Sequence, residues 1–254
     1  MTTGTLITPE AKEASPARAS TTPKSAQVHP GPGFRIRKSI ERPPEELVDE
    51  FRSFPTPDIS DMLNRLYTMS SAIQILTEEC SVAGPACTVK VYPGDNLMVH
   101  KALDIAQPGD ILVVDAGGST MNGIIGDLIS TKAKHRGIAA FIIDGLIRDL
   151  PEVRANGLPV FARGVTPIGP LHRGPGEINF PVSCGGIVVN PGDIVVGDRN
   201  GITVVRKDFA REILDRLHNQ RQALQRYEAQ VRRGQFSNKW ADDLLQDLNC
   251  TILE

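Results

Sequence analysis

A chain of 254 residues with 40% hydrophobic content can bury one substantial core, which predicts a single domain with appendages and excludes a large two-domain enzyme. A formal net charge of −2 gives no global reason to expect nucleic acid or an anionic membrane as partner, and no apolar run approaches the ~20 residues that span a bilayer. Cys80, Cys87, Cys184 and Cys250 form no Cys-x-x-Cys pair and have no histidine at zinc-finger spacing, so free thiols in a reducing, cytoplasmic compartment are expected.

Residues 1–32 are rich in Thr, Ala, Ser, Pro and Lys without a sustained apolar period, which predicts a disordered extension. They lack the apolar core of a secretory signal, and Glu10 and Glu13 oppose the alternative of an organellar transit peptide. Order is expected to begin around Gly33-Phe34-Arg35-Ile36. Pro43-Pro44 followed by Glu45-Glu46 predicts the opening of a helix that carries Leu47, Val48 and Phe51. After Pro55-Thr56-Pro57, a second helix is expected to start near Asp58 or Ser60, with oxygen side chains capping its first turn, and to run through Met62, Leu63 and Leu66. Residues 82–91 read as a strand pair or one bent strand, with Gly84-Pro85 as the break.

Pro-Gly-Asp occurs at 93–95, 108–110 and 191–193. The last two triplets open apolar strands over 111–115 and 194–198, which then meet the glycine turns Gly117-Gly118 and Asn200-Gly201. This weak similarity suggests two β units in one domain rather than a repeat array. From Gly117 the chain runs Gly-Gly-Ser-Thr-Met-Asn-Gly-Ile-Ile-Gly-Asp-Leu, and its glycines let the backbone approach a ligand closely. Unpaired amides at the start of the next helix would attract an anion such as a substrate carboxylate. An ordinary loop before a capped helix is the alternative.

Residues 128–136 predict that helix, stopped by Gly137, and 138–143 predict a buried strand ended by the turn pair Asp144-Gly145. About ten helical residues at roughly 1.5 Å each run down one layer, and about six strand residues at roughly 3.3 Å each return up the other. The lengths nearly cancel, so Asp127, Arg148-Asp149 and Glu152 are expected at one edge of the domain. There Asp149 could ligate a hard cation such as Mg²⁺ through oxygen, while Asp127 and Glu152 position waters around it. A solvated surface Arg-Asp pair is the alternative. Residues 113–118 superficially resemble the acidic, glycine-rich turn of methyltransferases, a short and common pattern. The glycine- and proline-rich stretch 157–205 is expected to form the second β layer. Residues 208–231 then predict a long amphipathic helix with Phe209, Ile213, Leu217, Leu224, Tyr227 and Val231 on one stripe. Its polar face carries Arg211, Arg216, Arg221, Arg226, Arg232 and Arg233. A last short helix is expected around Trp240, Leu244, Leu245 and Leu248.

Gly126-Asp127-Leu128, the twenty residues that separate Asp127 from Arg148-Asp149, the turn Asp144-Gly145-x-x-Arg-Asp and the strand pair from Pro191 to Gly201 together resemble the RraA-like family. That family includes 4-hydroxy-4-methyl-2-oxoglutarate aldolases and proteins named as regulators of ribonuclease activity. The resemblance covers residues 33–220 and leaves 221–254 as a C-terminal helical extension. It implies an α/β domain of the swivelling β/β/α type with N-terminal helices and a long C-terminal helix. It also implies a homotrimer or hexamer with sites at subunit interfaces, and a divalent metal, Mg²⁺ or Mn²⁺. By position, Asp149 would be the direct metal ligand, and Asp127 and Glu152 would act through water. Arg148 would hold the pyruvate oxygen, and Gly123, Gly126, Asp127 and the backbone at Leu128 would form the carboxylate site.

The implied activity is pyruvate-releasing aldol cleavage of 4-hydroxy-2-oxo acids, with oxaloacetate decarboxylation as a side reaction. Both reactions leave negative charge on an enolate oxygen, which a Lewis acid and a fixed guanidinium stabilise. No lysine of the motif stands as a Schiff-base nucleophile, because Lys132 and Lys134 fall in the body of a helix. A non-catalytic regulator that binds a ribonuclease or another protein is the alternative, and a methyltransferase ranks last.

Overall fold

The computed structural model describes residues 27–78 and 80–253. Most of the extension expected to be disordered, residues 1–26, lies outside the described residues. The first strand, β1, is Phe34–Ile36. Helix α1, Glu45–Arg52, follows Pro44 with two acids in its first turn, where they complement the positive end of the helix dipole, and it buries Leu47, Val48 and Phe51. Helix α2, Thr56–Met62, begins and ends earlier than expected. Asn64 and Arg65 take left-handed φ values of 55° and 65°, which turn the chain away and leave Leu66 exposed. Its own oxygen side chains do not cap its first turn. The Asp198 carboxylate instead accepts the Thr56 amide at 2.8 Å and the Thr56 hydroxyl at 2.7 Å.

After the short β2, Gln74–Ile75, strand β3 runs unbroken over Val82–Val91. Then come α3 (Leu97–Ala102), β4 (Ile111–Asp115), α4 (Asp127–His135), β5 (Ala140–Ile147), α5 (Leu150–Asn156) and β6 (Val160–Val165). The remaining elements are β7 (Gly176–Ile178), β8 (Val182–Cys184), β9 (Ile187–Val189), β10 (Ile194–Asp198), β11 (Gly201–Val205), α6 (Ala210–Arg232) and α7 (Lys239–Asp247). Of the two readings of 82–91, the single bent strand is correct. Gly84-Pro85 marks the point where β3 leaves its antiparallel partner β10 and joins β4 in parallel at Ala86. A side chain at Gly84 would strike the Gly109 carbonyl and Ile111, so the crossover needs bare backbone.

The main sheet has the order β1-β7-β3-β4-β5-β6-β2, with β3, β4, β5 and β6 parallel. Alternate residues of the central strands enter two cores. Leu112, Val114, Phe141 and Ile143 pack against Val99, Ile129 and Val153 of α3, α4 and α5. Ile111, Val113, Ala140 and Ile142 pack against Cys184, Val189, Val195 and Val204 of the second β layer. Burial on both faces explains why these strands are continuously apolar. A third core joins α1, α2 and the start of α6 to the far side of the β10–β11 hairpin. The expected β/β/α layering is present, with the boundary of the second layer corrected: β6 and β7 belong to the main path of the sheet, and its other face is covered by the separate β8–β9 pair and by the β10–β11 hairpin, which joins the sheet through β3.

Strand β5 also outruns the expected turn. Asp144 stays paired with Asp115 of β4, and the β5–β6 register shifts between Ile143 and Leu146, so Asp144-Gly145 is an irregularity inside a strand. The Asn200-Gly201 turn is displaced by one residue, because Gly201 already pairs with Asp198 and the hairpin tip is Arg199-Asn200. The three Pro-Gly-Asp triplets are turn locks. Their glycines have φ of 83°, 86° and 84°, and Asp95, Asp110 and Asp193 are buried with carboxylates that accept backbone amides from Leu97, Gln107 and Asn190.

In α6 only the first turns behave as expected. Ala210, Ile213, Leu214 and Leu217 are buried, whereas Phe209, Tyr227 and Val231 are exposed. Helix α7 buries no residue. Among the described residues no helix is long and apolar enough to cross a membrane.

Asp110 supports the strongest prediction about stability. Arg42 clasps it with two donors at 2.8 and 2.7 Å, the carboxylate is fully buried, and the pair raises the Arg42 pKa through this hydrogen bond. Asp110→Ala leaves Arg42 and the Gln107 amide without their acceptor, and is expected to cost about 3–5 kcal/mol in urea unfolding. An unchanged midpoint would show that the clasp contributes nothing net.

Candidate active site

The edge predicted from the helix and strand lengths exists. Asp149 follows the end of β5 by two residues and is the N-cap of α5, in a left-handed conformation with φ 55° and ψ 40°. For a residue with a side chain this geometry costs roughly 1–2 kcal/mol, and such strain gathers where function requires it. The turn aims Asp149 back at the head of α4. Its Oδ2 accepts the Asp127 amide at 3.3 Å and lies 3.2 Å from Arg148 Nε. The Arg148 amide in turn donates to the Ile125 carbonyl at 2.9 Å, which closes the strand end onto the glycine loop.

Glycines make room for the guanidinium. At Gly126, whose φ of −144° suits any residue, a Cβ would strike Asp149 Oδ2 and come within 3.0 Å of Arg148 Cγ. At Gly169 a Cβ would stand 2.8 Å from Arg148 Nη1. Gly123 lies behind this sleeve, where a Cβ would press on the Ile147–Arg148 peptide at 3.0 Å. The Gly169 loop is fixed by the Asn122 side chain, which donates to the Gly169 carbonyl at 2.6 Å, and by the Gly123 amide, which donates to the Ile168 carbonyl at 2.8 Å.

These groups open onto a cavity of about 240 Å³. Gly126, Leu128, Arg148 and Asp149 line it as anticipated, joined by Ile129, Gly169 and Pro170. The far wall, Asn96, His100 and His172, was not anticipated. Asn96 is buried, donates to the Ile124 carbonyl at 2.9 Å and accepts from His172 Nδ1 at 2.6 Å, which leaves Nε2 of a neutral His172 ring unprotonated. His100 meets His172 edge to face at 5.6 Å. Burial, helped by Lys132 and His172, holds its pKa below the ordinary value, so His100 is neutral at pH 7.

Asp127 and Glu152 stand at the same edge without lining the cavity. Asp127 Oδ1 accepts the Thr131 hydroxyl at 3.2 Å, and Glu152 is exposed in the first turn of α5. Among the described residues no group of three or more His, Cys, Asp and Glu is gathered to hold a metal. What fits a hard divalent cation is the cradle above Asp149: an oxygen donor, two-fifths exposed, in a space that a side chain at Gly126 would fill.

The methyltransferase-like turn is closed. Asp115 is bound by Lys90 at 2.7 Å and by the amides of Gly117 at 3.0 Å and Ser183 at 3.3 Å. Asp144 beside it holds Arg163 and the Gly185 amide.

A sequence model of the RraA-like family, described as Aldolase/RraA, matches residues 56–204. A Halalkalibacterium halodurans protein named provisionally as a 4-hydroxy-4-methyl-2-oxoglutarate aldolase is 44% identical over 171 residues, covering 67% of this chain and 81% of its own. Among solved structures, Streptomyces coelicolor RraAS2 is described as an unusual member of the RNase ES inhibitor RraA protein family. It superposes with a TM-score of 0.70 at 33% identity, over 75% of this chain and 99% of its own. A Geobacillus kaustophilus structure named S-adenosylmethionine: 2-dimethylmenaquinone methyltransferase has a TM-score of 0.57 at 35% identity, over 61% of this chain and 96% of its own.

Asn96 tests how the far wall is held. Asn96→Ala strips a partner from both the Ile124 carbonyl and the His172 ring, and is expected to lower stability by about 1–3 kcal/mol in urea unfolding. Coincident unfolding curves would mean that neither bond matters in the folded state.

Proposed function

The chain belongs to the RraA-like family, and on that footing we propose that it is a divalent-metal-dependent lyase that releases pyruvate from 4-hydroxy-2-oxo acids such as 4-hydroxy-4-methyl-2-oxoglutarate, with oxaloacetate decarboxylation as a side activity. The observation that carries this reading is the strained Asp149 carboxylate held beside Arg148 in a sleeve of bare glycine backbone. Asp149 would hold the metal, Mg²⁺ or Mn²⁺, directly, and Asp127 and Glu152 would act on it through water. When bound, that ion would supply Lewis-acid stabilisation of negative charge.

The chain's own groups do the rest. Arg148 places a permanent positive charge where the 2-oxo oxygen gains charge as the carbon–carbon bond breaks. Its two flanking glycines keep the side chain in one path, so little reorganisation is needed at the moment of reaction. The substrate carboxylate would take the amides of Leu128 and Ile129, which follow the Asp127 amide already bound by Asp149. His100, whose burial favours the neutral form, and His172, across the cavity, offer hydrogen bonds to polar groups at the far end of the substrate. The same reading carries a cytoplasmic trimer or pair of trimers, whose interfaces complete the open side of the cavity.

Two names among the relatives mark the alternatives. RraAS2 raises a non-catalytic regulator that binds a ribonuclease, but a purely regulatory surface has no use for backbone strain and a glycine sleeve inside a cavity. The methyltransferase name finds no support at Asp115, whose carboxylate is already consumed by Lys90 and two amides.

Pyruvate release from a panel of 4-hydroxy-2-oxo acids and oxaloacetate, with Mg²⁺ or Mn²⁺ against a chelated control, tests the activity. Asp149→Ala is expected to abolish metal-dependent turnover. Arg148→Lys keeps the charge but loses the fork of donors, and should lower turnover by about 10²–10³. Gly126→Ala, which fills the cradle without straining the backbone, should cost about 10²-fold by misplacing Arg148 and Asp149. All three are expected to retain the wild-type circular dichroism spectrum. Full metal-dependent activity in Asp149→Ala would remove the proposed ligand, and a wild type that releases no pyruvate from any substrate would favour the regulator.

A further inference from the structure

The apolar stripe of α6 continues past the point where the domain stops covering it. Ile213 and Leu217 are buried against α1 and α2, but about three and four turns further on Tyr227 and Val231 are exposed on the same stripe. Helix α7 presents a second unpartnered face: Trp240, Leu244 and Leu248 recur at intervals of four, are 65%, 49% and 69% exposed, and are flanked by Leu245. A helix of this length is marginal in water unless a packed face supports it. The polar sides of the two helices carry opposite charge. Around the distal stripe of α6 stand Arg226, Arg232 and Arg233 with Glu228, and α7 carries Asp242, Asp243 and Asp247 with Lys239 paired to Asp243 at 2.8 Å.

We propose that α7 of one copy docks along the distal half of α6 of a second copy, apolar stripe on apolar stripe, with the aspartates of α7 against the arginines of α6. Charge complementarity within one sequence selects the occupant, because both halves of the interface are present in every copy and a matching pair on two copies can close symmetrically. In the single chain α7 buries no residue and leaves its indole in solvent, so the pairing is between copies. The inference is independent of the proposed lyase activity, since none of these residues lines the cavity.

Trp240 is the single tryptophan of the chain, so its fluorescence reports on this interface alone. In the full-length protein the indole emission should be that of a shielded ring at micromolar concentration and move to that of a water-exposed ring on dilution. The charge-reversed chain Arg226→Glu, Arg232→Glu, Arg233→Glu should show exposed emission at every concentration, with the domain still folded by circular dichroism. Mixing this chain with a Trp240→Phe chain, which retains the basic α6, should restore shielded emission. If the reversed chain failed to fold, Asp242→Lys, Asp243→Lys, Asp247→Lys would be expected to give the same exposed emission. Exposed emission in the wild type at all concentrations would overturn the proposal, as would shielded emission in the reversed chains. Failure of the mixture to recover shielding would also overturn it, by showing that α7 folds onto its own α6.

Discussion

One carboxylate oxygen, Asp149 Oδ2, receives the first amide of α4 and stands beside the guanidinium at the end of β5. That contact needs three things at once. The chain must reverse at Asp149 in a left-handed turn, Gly126 must carry no side chain, and α4 must begin where β5 ends. The third condition comes from the fold, because β4 and β5 are parallel neighbours and the helix between them has to return the chain across the full depth of the sheet. The strain at Asp149 is therefore held by the sheet that is buried on both faces. A mobile loop could not keep the carboxylate and guanidinium in one arrangement before a ligand arrives.

The same geometry explains what the sequence discloses. A parallel crossover must span one layer in each direction, so counting helical and strand residues is enough to place Asp127 beside Arg148-Asp149, although the count misjudged where β5 ends. Asp144-Gly145 has the composition of a turn, but continued pairing with β4 and β6 outweighs that local preference and absorbs the pair as a register shift. Helix α2 was misjudged for a related reason: its cap is Asp198, far along the chain, and no local pattern records a partner at that distance. The far wall of the cavity depends on a bond between Asn96 and His172, which are likewise far apart in the chain, at a separation of 76 residues. Asn96 did carry a local clue, since it directly follows the first Pro-Gly-Asp triplet, whose lock forces the next residue inward.

Relatives of this chain are named for an aldolase, for a family of ribonuclease inhibitors and for a methyltransferase, which shows how little a shared fold decides. The discrimination has to come from individual groups. Asp115 stands in the one turn that resembles a cofactor-binding acid, yet its hydrogen bonds are directed inward and tie Lys90 and the β8 segment to the sheet. Arg163 and Asp144 do the same one strand over. This end of the sheet is cross-braced rather than prepared for a ligand.

Comparison of the acids themselves carries the argument furthest. Asp110, Asp115 and Asp193 sit at strand ends and Asp144 at the irregularity within β5, with carboxylates 0%, 5%, 2% and 9% exposed, and each is engaged by a cation and at least one backbone amide. A carboxylate so buried and so fully bonded is a structural brace, because any new ligand would first have to break bonds that the fold needs. Asp149 has a similar pair of partners, an arginine and an amide, but its carboxylate is 39% exposed and its bonds, at 3.2 and 3.3 Å, are longer than those of the braces to Arg42 and Lys90. It is the acid that can exchange a partner without loosening a strand. Arginine and amide together hold it oriented, and it lines the cavity. A carboxylate that is strained in its backbone, lightly held and open to the solvent of a cleft can take a new partner at no cost to the sheet, which is what the proposed metal-ligand role asks of Asp149 and what its buried neighbours cannot offer.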